Sequence, residues 1–165
     1  VFSDNDQKYS QVFDNSIIIC TMAIPRDEIN IDLYISLLKQ VIDCLANKGV
    51  RIVLKPHPRE LDYKKMYSGL DCILFDEKDL SLESIMTIYN IKSVIGFSST
   101  SLITSSLLFN IKSISLLSLI ESNNYGPRIR REMKEFKDIF SEFVFMPNSL
   151  NELIEIIKPS KNQIQ

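Results

Sequence analysis

The feature that most constrains the fold is the apolar run at positions 16–22, Ser-Ile-Ile-Ile-Cys-Thr-Met. A β-branched run without polar alternation is typical of a strand buried on both faces, as in parallel sheets. Apolar residues then recur every three or four positions over 33–45, which predicts an amphipathic helix that ends near Gly49. Strand and helix patterns continue to alternate along the chain. This order predicts an α/β fold, a doubly wound parallel sheet covered by helices on both faces.

The elements and domains follow from this alternation. Strands are predicted at 16–22, 50–54, 72–75, 94–95, 113–116 and 144–145, and helices at 33–45, 61–67, 81–89, 100–109, 127–140 and 150–157. Pro25 ends the first strand. A length of 165 residues fits about one domain. We expect a linker or the end of another domain at 1–15, a Rossmann-like domain at 16–158, and a flexible tail at 159–165.

Composition excludes several function classes. A net charge of −2 gives no electrostatic basis for nucleic-acid binding. The three cysteines lie apart in apolar stretches, which indicates reduced core residues of a cytoplasmic protein. One histidine and no C-x-x-C pair exclude a zinc site. The sequence shows no transmembrane segment, because no apolar run reaches about 18 residues, and no signal peptide pattern.

A histidine between two prolines follows the second predicted strand. Pro56 and Pro58 restrict the backbone on either side of His57, so the turn can hold the imidazole towards a ligand. The alternative is a surface histidine in an ordinary strand-to-helix loop. Lys55 beside it is either a phosphate or substrate contact or a solvated charge.

A hydroxyl cluster follows the fourth predicted strand. Gly96 permits close approach of the backbone, and Ser98, Ser99 and Thr100 surround the first free N–H groups of the next helix. The carboxyl ends of parallel strands meet at one edge, where ligands bind, so this cluster and His57 are expected to share a pocket. These groups fit a compact phosphate carried by a mononucleotide. The alternative is that the hydroxyls are only N-caps.

Two further charged features are open to two interpretations. Glu83, in the first turn of the helix predicted after Ser81, can accept hydrogen bonds from both hydroxyls of a ribose, or it only complements the helix dipole. The arginines of the 127–140 helix either contact an anionic substrate or a membrane surface, or form a solvated face balanced by glutamates. The residues concerned are Arg128, Arg130, Arg131, Glu132 and Glu135.

Three of these motifs, in this order, resemble the donor-binding half of bacterial sialyltransferases of the lipooligosaccharide and capsular polysialic acid types. The resemblance spans residues 17–157 as an order of elements. It implies the C-terminal domain of a two-domain, inverting GT-B glycosyltransferase that moves sialic acid from CMP-sialic acid to a glycan hydroxyl of a surface polysaccharide or lipooligosaccharide. The matching residues are His57, Pro58, Ser81, Leu82, Glu83, Ser98 and Ser99.

The resemblance also implies a role for each motif. His57 contacts the phosphate and, as a protonated imidazole, assists its departure, with Pro58 near the cytosine. Such assistance suits CMP, whose phosphate gains charge as it leaves. Glu83 holds the ribose, and no metal or other cofactor is required. The phosphate oxygens are bound by the hydroxyls of Ser98, Ser99 and Thr100.

The sequence departs from the family pattern in its catalytic base. These enzymes carry the base in an acidic D/E-D-G motif of the N-terminal acceptor domain, and Asp4, Asn5 and Asp6 lack the glycine. We therefore expect a donor domain separated from its acceptor half, which binds nucleotide but turns over poorly. Peripheral association of the full enzyme with the inner face of the cytoplasmic membrane stays open.

Other functions are compatible with the same fold. Glycerophosphotransferases that use CDP-glycerol also have a histidine-proline turn in a second GT-B domain. A non-catalytic α/β interaction module is the alternative outside enzymes. A receiver-like signalling module is disfavoured, because the first strand leads into Ala23, Ile24 and Pro25 rather than into clustered acids.

Overall fold

A computed structural model describes residues 4–23, 28–77, 79–120 and 126–158. The strands are β1 (Ser16–Cys20), β2 (Arg51–Lys55), β3 (Ile73–Leu74), β4 (Ser93–Gly96) and β5 (Lys112–Ser115). The helices are α1 (Asp4–Phe13), α2 (Ile31–Ala46), α3 (Tyr63–Met66), α4 (Leu82–Ile88), α5 (Thr100–Phe109), α6 (Pro127–Phe140) and α7 (Leu150–Ile157).

The five strands form one parallel sheet in the order β3-β2-β1-β4-β5. β1 is central, and its Ile18 pairs with Val53 of β2 on one side and with Val94 of β4 on the other. The chain moves outward from β1 to β3 and then crosses to β4, so the strand order reverses between β1 and β4. This arrangement confirms the predicted α/β parallel sheet, and its carboxyl edge at the reversal is where such folds bind ligands.

The core lies where β1 and β4 meet the helices. All residues of β1 and β4 are buried, as the uninterrupted apolar runs predict. On α2, Leu38, Val41 and Ile42 are fully buried, which matches the predicted helical period. Full burial of one such side chain contributes about 1.5–3 kcal/mol. Helix α2 also contacts α7, and α4 contacts α5, so helix pairs flank the sheet.

The segment before β1 contains a helix that its polar composition did not predict. The side chain of Phe13, at the end of α1, is fully buried. Its ring lies 4.8 Å from that of Phe75 and 5.4 Å from that of Tyr89. The apolar residues of α1 are confined to its second half, at Tyr9, Val12 and Phe13, so no sustained period was visible. The end of the segment interpreted as a linker thus packs against the same core as the sheet.

The sixth predicted strand is reduced to a single bridge. Phe145 pairs with Ile114, and its N–H and carbonyl bond Ser113 and Ser115 at 2.9 and 2.8 Å. Val144 is buried at this edge, but the pairing does not extend into a strand. The other predicted elements are present with boundaries shifted by a few residues, and α5, α6 and α7 match their predicted ranges. Pro25 and the predicted tail at 159–165 lie outside the described residues.

Candidate functional site

A cavity of about 200 Å³ lies at the carboxyl edge of the sheet. It is bounded by the ends of β1 and β2 and by the first turns of α4 and α5. We call it the carboxyl-edge cavity. Its lining residues are Cys20, Thr21, Lys55, Pro56, His57, Pro58, Leu80, Ser81, Leu82, Glu83, Ser99 and Ser101.

His57 is held in its turn by both backbone and ring contacts. Its N–H donates to Thr21 Oγ1 at 2.9 Å and to Glu60 Oε2 at 2.8 Å. Its ring Nδ1 accepts the backbone N–H of Arg59 at 3.1 Å. Partial burial, together with the positive charge of Arg59, lowers the pKa of His57 below 6.5, although Glu60 opposes this shift. A neutral imidazole whose Nδ1 accepts a hydrogen bond carries its proton on Nε2.

A buried carboxylate supports this turn. Glu60 is only 5% exposed, and its Oε1 accepts the hydroxyl of Tyr67 at 2.5 Å. Its Oε2 accepts both the His57 N–H and the hydroxyl of Thr21. The Glu60 N–H in turn donates to the His57 carbonyl at 2.9 Å. These contacts join the end of β1 to the turn after β2.

Lys55 is half-buried at the same edge. Its Nζ lies 3.4 Å from the Glu77 carbonyl and 5.5 Å from the centre of the Phe75 ring. Burial lowers the pKa of Lys55, while Cys20, Glu83 and Glu77 act in the opposite direction. An ammonium group and the exposed carboxylate of Glu83 therefore line one cavity.

The two helix starts contribute hydroxyl groups. Ser81 caps α4, because its Oγ accepts the N–H of Ser84 at 3.1 Å, and it places Glu83 in the first turn. Ser99 caps α5, because its Oγ accepts the N–H of Ser101 at 3.2 Å. A hydroxyl that accepts one bond can still donate its own hydrogen. Ser99 can therefore serve as a cap and as a ligand donor at once.

The structure brings together some predicted residues and separates others. His57, Pro58, Lys55, Glu83 and Ser99 line the cavity, as the shared pocket requires. The remaining three predicted residues are absent from its lining. These are Gly96, Ser98 and Thr100.

Gly96 has a packing reason for its identity. A Cβ at this position would lie 3.3 Å from the Cys20 carbonyl oxygen and 3.6 Å from the Leu102 side chain. The close approach that the sequence predicts is therefore made to β1 and α5. Glycine allows the end of β4 to lie against both elements.

Residues 13–118 match the model of the family described as alpha-2,8-polysialyltransferase. The match covers more than half of the 165 residues. The chain belongs to the alpha-2,8-polysialyltransferase family. The matched segment contains all five strands and every residue that lines the carboxyl-edge cavity. No curated protein matches the chain.

Membership of the polysialyltransferase family supports a sialyltransferase and, with it, a sugar nucleotide and a glycan acceptor as substrates. Among the described residues, no helix is both long and apolar enough to cross a membrane. Within residues 4–23, 28–77, 79–120 and 126–158, no three His, Cys, Asp or Glu side chains are grouped to hold a metal ion. The three cysteines are free thiols. Burial raises the pKa of Cys20 to about 12, so this thiol lines the cavity in its protonated form at neutral pH.

The arginines of α6 lie outside the segment that matches the family. Arg128 pairs with Glu132 at 3.0 Å on an exposed face, as in the solvated interpretation. Arg130 and Arg131 are also exposed, and none of the three lines the carboxyl-edge cavity.

Sequence reasoning missed the residues that support the polysialyltransferase histidine turn. Thr21 lies in the apolar run that predicts the first strand, and Glu60 and Tyr67 belong to none of the three motifs of the resemblance. The one local signal was an acidic residue three positions after His57, the spacing at which the Glu60 N–H closes a turn on the His57 carbonyl.

Proposed function

We propose that this chain is the donor-binding domain, the C-terminal half of a GT-B fold, of an inverting sialyltransferase. It binds CMP-sialic acid for transfer of sialic acid to a glycan hydroxyl of a surface polysaccharide or lipooligosaccharide. The observation that carries the proposal is the convergence of His57, Glu83 and Ser99 on one cavity at the edge where the strand order reverses. Family membership supports the class of reaction.

The site chemistry suits a cytidine monophosphate leaving group. His57 and Ser99 are assigned to the phosphate, and Lys55 supplies a positive charge nearby. Fixed donors directed at a phosphate stabilise the charge that develops as the bond to the anomeric carbon breaks. Glu83 is assigned to the ribose hydroxyls, since a carboxylate accepts two hydrogen bonds from neighbouring hydroxyls. Pro58, exposed at the rim, is assigned to the cytosine.

The size of the cavity limits what it holds. Pockets that hold a whole small-molecule ligand usually have a volume of about 300–1,000 Å³. The carboxyl-edge cavity has a volume of about 200 Å³. We assign the phosphate and ribose to it, and the sugar and acceptor to a cleft with a second domain. That domain supplies the general base in an acidic D/E-D-G motif. The proposal assigns no role to a metal ion, and it places the full enzyme at the cytoplasmic side of the membrane.

Calorimetric titration of the chain tests the donor assignment. CMP and CMP-sialic acid are expected to bind, and CDP-glycerol to bind more weakly. We expect 2′-deoxy-CMP to lose one of the two contacts assigned to Glu83 and therefore to bind more weakly than CMP. Tighter binding of CDP-glycerol than of CMP-sialic acid would instead identify the chain as a glycerophosphotransferase domain. Absence of binding by every nucleotide at millimolar concentration would favour a non-catalytic module.

A further inference from the structure

In the part of the chain that the structure describes, the Glu60 carboxylate accepts hydrogen bonds from three protein groups. The His57 N–H and the Thr21 hydroxyl both donate to Oε2, and the Tyr67 hydroxyl donates to Oε1. A carboxylate accepts all of these bonds, whereas an amide offers one acceptor and two donors. A buried charge is tolerated when hydrogen bonds replace its hydration. The two oxygens of a carboxylate can therefore accept all three bonds at once.

The network acts on the histidine turn. The His57 N–H has two acceptors, Thr21 Oγ1 and Glu60 Oε2. The Thr21 N–H donates to the Lys55 carbonyl at 3.2 Å, so the end of β1 is tied to the end of β2 on the other side. The path of the chain from Lys55 to Glu60 is held at both of its ends.

The same turn determines which ring nitrogen remains for a ligand. The Arg59 N–H donates to His57 Nδ1 at 3.1 Å, so Nδ1 is an acceptor and cannot carry a proton in this arrangement. His57 lines the carboxyl-edge cavity. The lowered pKa of His57 favours the same neutral form.

We propose that Glu60 is a positioning residue. It holds the turn so that a neutral His57 donates a hydrogen bond from Nε2–H to the phosphate of CMP-sialic acid. This inference rests on the proposed function and refines it. As the bond between the anomeric carbon and the phosphate oxygen breaks, its electron pair stays on that oxygen. The acceptor hydroxyl oxygen forms the new bond, and its proton goes to the base of the second domain. CMP leaves as a dianion, and His57 transfers no proton.

The single histidine makes the proposal directly measurable. In the chain labelled with ¹⁵N-histidine, the two ring nitrogens report protonation and tautomer by NMR without assignment ambiguity. We expect the neutral Nε2–H form at pH 7 in the free protein, and the same form with CMP bound. A protonated ring in the CMP complex, or the Nδ1–H tautomer, would overturn the neutral-donor role.

Glu60→Gln tests the positioning role. The amide keeps one acceptor oxygen where the carboxylate has two, so at least one of the three bonds that Glu60 accepts is lost or reversed, and the turn loosens. We expect mixed tautomers and about tenfold weaker CMP binding, the effect of one lost hydrogen bond to a charged group. Glu142→Gln, on an exposed carboxylate, is the matched control and is expected to leave both unchanged. A folded Glu60→Gln with the wild-type histidine spectrum and CMP affinity would overturn the proposal.

Two arms keep the result interpretable. If Glu60→Gln does not fold, Thr21→Val removes the other acceptor of the His57 N–H and is judged by the same spectrum and affinity. If the wild-type chain shows the expected tautomer but binds no CMP, the donor-binding function fails while the positioning of His57 by Glu60 stands. If either variant changed the His57 tautomer but kept the wild-type CMP affinity, the proposed hydrogen bond from His57 Nε2–H to the phosphate would be refuted.

Discussion

The two edges of the sheet carry very different cavities. The cavity at the amino edge has a volume of about 760 Å³, whereas the carboxyl-edge cavity has a volume of about 200 Å³. This amino-edge cavity is lined by residues around the starts of β1, β2, β4 and β5. Its charged side chains are Lys48, Lys92, Lys112 and Lys158.

The larger cavity lacks the convergence of different chemical groups that the smaller one has. Lys112 Nζ donates to the Ile156 carbonyl at 2.6 Å, which joins β5 to α7, and Lys158 pairs with Glu155 on the exposed surface at the end of α7. The carboxyl edge instead combines an imidazole, an ammonium, a carboxylate and a hydroxyl. Groups with complementary roles, rather than volume, identify the site. The strand termini explain why, because ligands in such sheets bind outside the carboxyl ends of the strands where the strand order reverses, and only the smaller of these two cavities lies at those ends.

The largest expected difference between the edges is catalytic. In the two-domain enzyme, His57→Ala is expected to lower turnover about a hundredfold or more, as for loss of one oriented donor to a developing charge. Lys92→Ala at the amino edge is expected to leave turnover unchanged. Steady-state kinetics and urea unfolding of both variants test this. Equal losses of turnover in His57→Ala and Lys92→Ala would contradict the catalytic difference between the two edges. A loss in His57→Ala that unfolding explains would contradict it as well.

Within the carboxyl edge, Gly96→Ala tests how tightly the end of β4 packs against β1 and α5. The added Cβ meets the Cys20 carbonyl and Leu102, so we expect about 1–3 kcal/mol less free energy of unfolding, as for overpacking. Gly69→Ala is the control, because nothing lies within 4 Å of its Cβ. Urea denaturation measures both. A stability of Gly96→Ala equal to that of Gly69→Ala would show that the close approach is not tight.

The serine pair provides the next contrast. Ser99→Ala is expected to weaken CMP binding about tenfold, and Ser98→Ala to change it little, because only Ser99 lines the cavity. Loss of a cap also costs about 1 kcal/mol of stability. Ser149→Ala is the control. The Ser149 Oγ accepts the Glu152 N–H at 3.1 Å, so this substitution removes the cap of α7 without changing a residue of the site. If Ser149→Ala weakened CMP binding as much, the effect of Ser99 would be one of stability alone.

The smallest expected effect is on the pH dependence of stability. The folded pKa of His57 lies below 6.5, so the unfolded chain binds more protons between the two values. The free energy of unfolding should therefore fall as the pH decreases from about 7 through 6.5 towards the folded pKa. His57→Gln is expected to reduce this slope, measured by urea denaturation. The Ser10 hydroxyl lowers the pKa of Asp14, so the stability that this carboxylate contributes at neutral pH is lost only as the pH falls through its ordinary value of 3.8, outside the range of the His57 effect.

An unchanged slope in His57→Gln would show that the ring titrates alike in both states. The Arg59 N–H bond to Nδ1 would then not persist in solution.

Most of the fold was predictable because its signals are local. Helix α5 has its predicted bounds, since a serine cap and a left-handed Asn110 mark its two ends. Helix α1 was missed because its apolar residues occupy only its second half. The pairing of Phe145 was overestimated because two apolar residues do not specify how far a ladder extends. The convergence of His57 with Ser99 was also predictable, since both follow parallel strands.

By itself, the sequence determined the alternation of strands and helices and the turns that carry His57, Glu83 and Ser99. Only the tertiary structure decided that Ser99 rather than Ser98 lines the cavity and that Glu60, Thr21 and Tyr67 hold the histidine turn. Apolar period and cap chemistry act over a few neighbouring residues, so they can be read along the chain. Hydrogen bonds between distant residues depend on which strands become neighbours, and that arrangement exists only once the sheet has formed.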